Sequence, residues 1–194
     1  MADRHQIPPG STPMVQIMRV LMILVPSASA PGKEPVLGFA RVIEPYYLFR
    51  DNGIEVVVAS PSGGAPWKRR EDPVVWSSNP VACRFRKDQD AHDVFADTLS
   101  LDQVCADDFR AAFCVGELSA IWRRQSSEPS ASIVAELLAS SKPVAIMHET
   151  VDISLEGAGA GLLILGRGQD TPAMAAQALL ALVQSPSSPN FEFA

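Results

Sequence analysis

The sequence predicts an α/β domain, a three-layer sandwich built on a mainly parallel central sheet. Three observations carry that prediction. Two apolar, β-rich runs, residues 15–25 and 54–60, flank an amphipathic segment over residues 36–52, which is the strand–helix–strand order of a parallel unit. Both runs are apolar at successive rather than alternate positions, as strands covered on both faces require. A later buried run, Val144 to Met147, ends abruptly in His148-Glu149, at the place where an α/β protein puts its chemistry.

Length and charge narrow the possibilities. A chain of 194 residues fits one domain that buries about 70% of its unfolded surface. The expected organisation is a leader over residues 1–14, a single domain over 15–184 and a loose tail over 185–194. A formal charge of −6 disfavours nucleic acid or an anionic membrane as partner, because both need clustered Lys and Arg. The one basic cluster, Lys68-Arg69-Arg70, is followed at once by Glu71-Asp72 and reads as a solvated loop. Three cysteines, Cys83, Cys105 and Cys114, contain no CxxC pair. They suggest neither a disulfide framework nor a zinc site, and the expected setting is the reducing cytoplasm.

Taken in order, residues 1–14 contain Pro8, Pro9, Gly10 and Pro13 and show no periodicity. Val15 to Val25 reads as the first strand and ends at Pro26. Its apolar stretch followed by Ser27-Ala28-Ser29-Ala30 superficially resembles a signal peptide. Arg19 interrupts that stretch, and cleavage would remove the first core strand, so the strand reading is preferred. A helix is expected over 36–52, with Gly53 at its C-cap. Ile54 to Ser60 is the second strand, broken by Pro61 to Pro66. Residues 67 to about 90 read as irregular, with Trp67 and Trp76 as anchors of a loop over the sheet. Ser100 to Val104 reads as a short capped helix. Phe109 to Val115 is the next strand, and Ser130 to Ser140 is a helix with Ile133, Val134, Leu137 and Leu138 on one face. After Val144 to Met147 the chain is Gly-rich through Gly161. Leu162 to Leu165 makes the last strand and Ala173 to Val183 the closing helix.

These segments resemble the ThiJ/PfpI superfamily, of flavodoxin-like, class I glutamine amidotransferase-like fold, and most of all its glyoxalase III and heat-shock chaperone-like branch. The resemblance rests on four stretches. They are Glu44-Pro45-Tyr46-Tyr47-Leu48-Phe49 with Gly53-Ile54-Glu55-Val56, Ala59-Ser60-Pro61-Ser62-Gly63-Gly64, Asp107-Asp108-Phe109 leading to Gly116, and Lys142-Pro143-Val144-Ala145. It covers about residues 15–150, with a weaker echo over Leu165 to Leu180. The resemblance implies a nucleophilic cysteine at the end of the strand, followed by His and Gly on a tight elbow. In that register stand Met147, His148 and Glu149. A thioether has no proton to lose and cannot become a thiolate. The family's glutamate on the first helix, four positions before the proline, falls on Arg41, a permanent cation. Glu44 lies one helical turn away and either reaches the space of the lost carboxylate or pairs with Arg41 at the surface, the second reading being preferred. The family's glycine-rich loop is reduced to Gly116-Glu117-Leu118-Ser119, and Trp122 stands where the glyoxalase-like branch often carries an aromatic. Val151 to Ala160 is far shorter than the corresponding segment of the family.

The other candidates have plain readings. A metal site at His148 lacks partners, because His5 and His92 lie in polar surroundings, and a serine-type triad would have to recruit Thr150. Cys114 reads as a small buried hydrophobe within its strand. Gly166 to Asp170 lacks a phosphate-loop spacing and reads as a turn.

The resemblance, taken with these substitutions, implies a degenerate member, a pseudoenzyme or small-molecule-binding protein. Its expected site residues are Arg41, Glu44, Gly116, Glu117 and Trp122 for a ligand, with Met147 in the nucleophile position and His148 and Glu149 as the remaining catalytic candidates. An alternative is a repurposed enzyme doing cysteine-independent isomerase, cyclase or hydratase chemistry, in which Arg41 holds a carboxylate and His148 or Glu149 moves a proton. A further alternative is a stress-linked chaperone-like subunit. No cofactor or metal is expected, and a homodimer is, as is common in the family.

Overall fold

The computed structural model of the chain describes residues 17–26, 39–66, 79–116, 129–147, 163–166 and 171–185. The elements are β1 (Arg19–Val25), α1 (Phe39–Asp51), β2 (Glu55–Ser60), α2 (Pro80–Phe85), α3 (Gln89–Ala96), β3 (Leu99–Ser100), β4 (Ala111–Gly116), α4 (Pro129–Ala139), β5 (Val144–Met147), β6 (Leu163–Gly166) and α5 (Thr171–Gln184). Two 3-10 turns, Leu101–Gln103 and Ala106–Asp108, join β3 to β4. The leader, Trp67, Trp76, the basic cluster and residues 151–160 lie outside the described residues.

The sheet has the order β3-β2-β1-β4-β5-β6, and every strand pair in it is parallel. β1 is central, in register with β2 on one side and β4 on the other. Its side chains alternate between two cores. Val20, Met22 and Leu24 join the core built with α1 and α5, whereas Leu21, Ile23 and Val25 join the core built with α4 and the 3-10 turns. A strand that feeds two cores must be apolar at every position, which is the pattern seen over residues 20–25. Helices on both faces of a parallel sheet make the expected three-layer sandwich.

Local chemistry sets the ends of the elements. α1 stops in a Schellman motif: the Gly53 amide donates to the Arg50 carbonyl at 3.0 Å and the Ile54 amide to the Phe49 carbonyl at 3.1 Å. Gly53 takes the positive φ of 75° that this cap needs. Pro45 sits inside α1 and has no N–H to offer the Arg41 carbonyl, so one helical hydrogen bond fewer holds the first turn to the rest.

The structure corrects one stretch of the sequence reading. Residues 80–96, expected to be irregular as far as about 90, form α2 and α3. Asn79 caps α2, its side-chain oxygen accepting from the Val81 amide at 2.8 Å, and Pro80 occupies the first helical position. Asp88 caps α3 by accepting from the Ala91 amide at 3.0 Å. Pro80 is therefore a helix starter here rather than a loop marker. The short capped helix at Ser100 is a 3-10 turn, closed by the Ser100 amide donating to Gln103 Oε1 at 3.2 Å. β3, just before it, is an edge strand that the sequence reading does not contain.

A buried hydroxyl pair ties β2 to the segment entering β3. Ser60 and Thr98 are both buried and lie 2.8 Å apart, and Thr98 Oγ1 donates to the Gly64 carbonyl at 2.6 Å. Thr98 Oγ1 thus uses its own proton on Gly64 and accepts from Ser60. Thr98→Val keeps the shape and leaves the Ser60 hydroxyl without its acceptor, which is expected to cost about 1–2 kcal/mol in urea unfolding, against a near-native Thr98→Ser control.

Candidate functional site

The strand order reverses between β1 and β4, from which the chain winds outward in opposite directions. In an open parallel sheet the crevice outside the carboxyl ends of the strands at such a switch point is the ordinary place for a ligand. The strand ends at that point are Val25 of β1, Gly116 of β4 and, beyond it, Met147 of β5. Val25 pairs with Gly116, and Val115 pairs with Met147.

Gly116 is there because nothing larger fits. Its φ is +132°, and a Cβ placed on it would lie 1.6 Å from the Val25 carbonyl oxygen. The backbones of the two diverging strands meet at this point.

Met147 is 2% exposed and belongs to the core shared with α1 and α5. Its backbone stays extended: among the described residues Ser141 is the only non-glycine with positive φ, and Met147 remains in register with Val115 and Gly166. β5 thus runs straight through Met147, with no left-handed backbone at that residue to lift its side chain out of the core.

Arg41 lies in the first turns of α1. A helix that follows a parallel strand begins beside that strand's carboxyl end, so Arg41 and Glu44 stand on the crevice side of the layer. Both are half-buried, while Val42 and Ile43 between them are buried. His148, Glu149, Glu117, Trp122 and Thr150 lie outside the described residues. Of the expected residues, Gly116 and Met147 end β4 and β5, and Arg41 and Glu44 lie in the first two turns of α1.

All three cysteines are described, and none presents a thiol to the crevice. Cys114 is fully buried on the α4 side of β4, and that burial pushes its thiol pKa far up, away from thiolate. Cys105 is exposed between the two 3-10 turns, and the Arg110 amide that follows donates to the Arg19 carbonyl at the start of β1, so this region lies at the amino edge. Cys83 is on α2, beside Arg84, which pairs with Asp51 in the last turn of α1, again away from the carboxyl edge. In the native protein iodoacetamide is expected to label Cys105 first and Cys83 more slowly. Cys114 is expected to be labelled only after unfolding, and peptide mapping checks the order.

The densest polar cluster among the described residues is elsewhere and is internally satisfied. Arg50 Nη1 donates to Tyr46 Oη at 2.8 Å and Tyr47 Oη to Asp88 Oδ2 at 3.0 Å. The Arg84 guanidinium lies 3.8 Å from the Tyr47 ring centre and makes two 2.7 Å bonds to Asp51. Burial, followed by the bond to Asp88, raises the Tyr47 pKa. This network clamps α1 to α2 and α3. The adjacent tyrosines and the Asn79-Pro80 cap were its signals in the sequence. Among the described residues no cluster of His, Cys, Asp and Glu fits a metal ion, and no helix is long and apolar enough to cross a membrane.

No protein-family profile matches the chain, and no curated protein does. Solved structures do. Rapid Encystment Protein 24 KDa from Francisella tularensis superposes with a TM-score of 0.65 at 16% identity, covering 86% of this chain and 99% of that one. Glyoxalase III from Candida albicans gives 0.63 at 9% identity, covering 86% and 97%. A ThiJ/PfpI domain protein from Brachyspira murdochii gives 0.54 at 13% identity, covering 87% and 98%. The chain thus has the fold of ThiJ/PfpI structures, as the resemblance of its strand ends implied.

Proposed function

We propose that this is a ThiJ/PfpI-like protein without the thiol chemistry of that superfamily, one that binds a small molecule at the carboxyl edge of its sheet. The observation that carries the proposal is the state of β5. Its last residue, in the register of the expected nucleophile, is a methionine that is extended and 2% exposed. The position of every cysteine supports the same reading, since a thiol sealed within β4 or sited at the amino edge cannot serve this crevice.

The ligand is a small carboxylate held by Arg41. A guanidinium in the first turns of α1 stays charged at any working pH, and it sits beside the amino end of that helix, whose dipole also favours an anion. His148 and Glu149, the next two residues of the sequence after β5, are the remaining candidates for a polar role toward it, and a homodimer is the working assembly.

The test is titration calorimetry with glyoxylate, pyruvate and 2-oxoglutarate as probes. At least one is expected to bind, and Arg41→Ala to weaken it about 10–100-fold, the range of a hydrogen bond to a charged group. Binding unchanged in Arg41→Ala, or binding of none of the three, contradicts the carboxylate reading.

A further inference from the structure

The end of α1 carries a chemistry that the crevice does not use. The chain has three asparagines, Asn52 followed by Gly53, Asn79 followed by Pro80 and Asn190 followed by Phe191. An asparagine loses its side-chain amide when the backbone nitrogen of the next residue attacks Cγ. Glycine puts no side chain in the way of that ring closure, a phenylalanine does, and a proline nitrogen has no hydrogen to give up. Asn52 therefore has the neighbour that favours the reaction. Both Asn52 and Gly53 are exposed, and beyond the chain neighbours no described atom lies within 4 Å of the place a Gly53 Cβ would take. Packing does not protect this dipeptide.

Hydrogen bonds do. Asn52 Nδ2 donates to the Leu48 carbonyl at 2.8 Å, which holds the side chain back along the helix. The Gly53 amide, the attacking group, donates to the Arg50 carbonyl at 3.0 Å, and its φ of 75° belongs to the Schellman cap. Both bonds must open before nitrogen and Cγ can meet.

We infer that Asn52 is a site of spontaneous deamidation whose rate is set by the cap that Asn52 and Gly53 build. The Gly53 nitrogen forms a bond to Cγ, the Cγ–Nδ2 bond breaks, and the amide proton leaves with Nδ2 as ammonia. Water, the one co-reactant, then opens the five-membered imide at either carbonyl. Opening at Cγ gives aspartate. Opening at the backbone carbonyl gives isoaspartate, with Cβ and Cγ now in the main chain. Both products remove the donor to Leu48 and put a second carboxylate beside Asp51, at the helix end where the dipole disfavours negative charge. Isoaspartate also lengthens the main chain between Arg50 and Ile54, whose amide donates to the Phe49 carbonyl in the same cap. The reaction thus loosens the joint between α1 and β2, and it does not reverse.

Peptide mapping by mass spectrometry tests this on the full chain, incubated in mildly alkaline buffer with and without urea. Tryptic peptide 51–68 reads the site, since Asn52 is its only Asn or Gln. Native conversion is expected to be about 5–200-fold slower than conversion in urea, the factor of two hydrogen bonds broken in a local opening. Arg84→Ala removes the two bonds that hold Asp51, next to Asn52, and is expected to raise the native rate about 2–5-fold while leaving the rate in urea unchanged. Asn52→Asp imitates one product and is expected to speed amide hydrogen exchange at Gly53 and Ile54 about 10-fold once intrinsic rates are divided out. A native rate slower than the stated range places the reaction in the globally unfolded chain and overturns a site gated by the cap. A native rate closer to that in urea, or one unmoved by Arg84→Ala, overturns the cap's control. Conversion of Asn79 or Asn190 ahead of Asn52 overturns the choice of site, and unchanged exchange in Asn52→Asp overturns the loosening of the joint.

Discussion

Gly116→Ala is expected to be the most damaging single substitution at the switch point. The added methyl carbon falls 1.6 Å from the Val25 carbonyl oxygen, and the backbone at this residue has a φ that side-chain-bearing residues rarely adopt. The obstacle is backbone on both sides, held in the β1–β4 ladder, so no flexible side chain can swing aside. Either the two strand ends part, breaking the pairing of Val25 with Gly116, or Gly116 leaves its conformation. Both routes undo central-strand contacts. The expected loss is about 4 kcal/mol or more, which for a chain of this size lowers Tm by about 10 °C. Urea and thermal unfolding measure it. A loss below about 1 kcal/mol would mean that the strand ends are not as close as described.

The second large effect falls on Met147. Met147→Ala is expected to cost about 3 kcal/mol, because it empties a side-chain volume within the core shared by α1 and α5. Met147→Cys costs less and is the more telling variant. If the position is core, the new thiol is as inaccessible as that of Cys114 and stays unmodified by Ellman's reagent until the protein unfolds. A fast native-state reaction assigned to position 147 would show that β5 delivers its last side chain into the crevice. The central claim would then rest on the residue type alone, without the geometry.

The fold was legible because buried parallel strands announce themselves. β1, β2, β4 and β5 are continuous apolar runs, and the amphipathic segments between them are α1 and α4. What stayed hidden is instructive. α2 and α3 are only six and eight residues long and start at Pro80 and Gln89, so apolar periodicity could not reveal them. Their starts were nevertheless written in Asn79-Pro80 and in Asp88 as caps, signals that depend on side-chain hydrogen bonds rather than hydrophobicity. β3 was out of reach for another reason. Two residues carry no period, and the strand exists because the Ser60–Thr98 hydroxyl pair and the Gly64–Thr98 bridge hold it in place.

The site was legible in part. Gly116 was singled out through the family resemblance, and the structure supplies a physical reason for it that the sequence cannot express, the approach of the Val25 carbonyl. Met147 was recognised as a residue type unsuited to thiol chemistry. Its burial is a separate fact, set by the alternation of β5, in which Ala145 and Met147 face one core and Val144 and Ile146 the other. Arg41 and Glu44 are placed on the crevice side because they follow β1 into α1, a consequence of topology rather than of their own chemistry.

The most direct test of the central claim is consumption of methylglyoxal by the purified protein, followed with product identification and run beside a heat-denatured control. The account predicts no turnover above that control, for the wild type and for Met147→Cys alike. Turnover by the wild type would contradict it. If Cys114→Ala or a substitution at His148 abolished that turnover, the working group would be identified at a position this account leaves without a catalytic role.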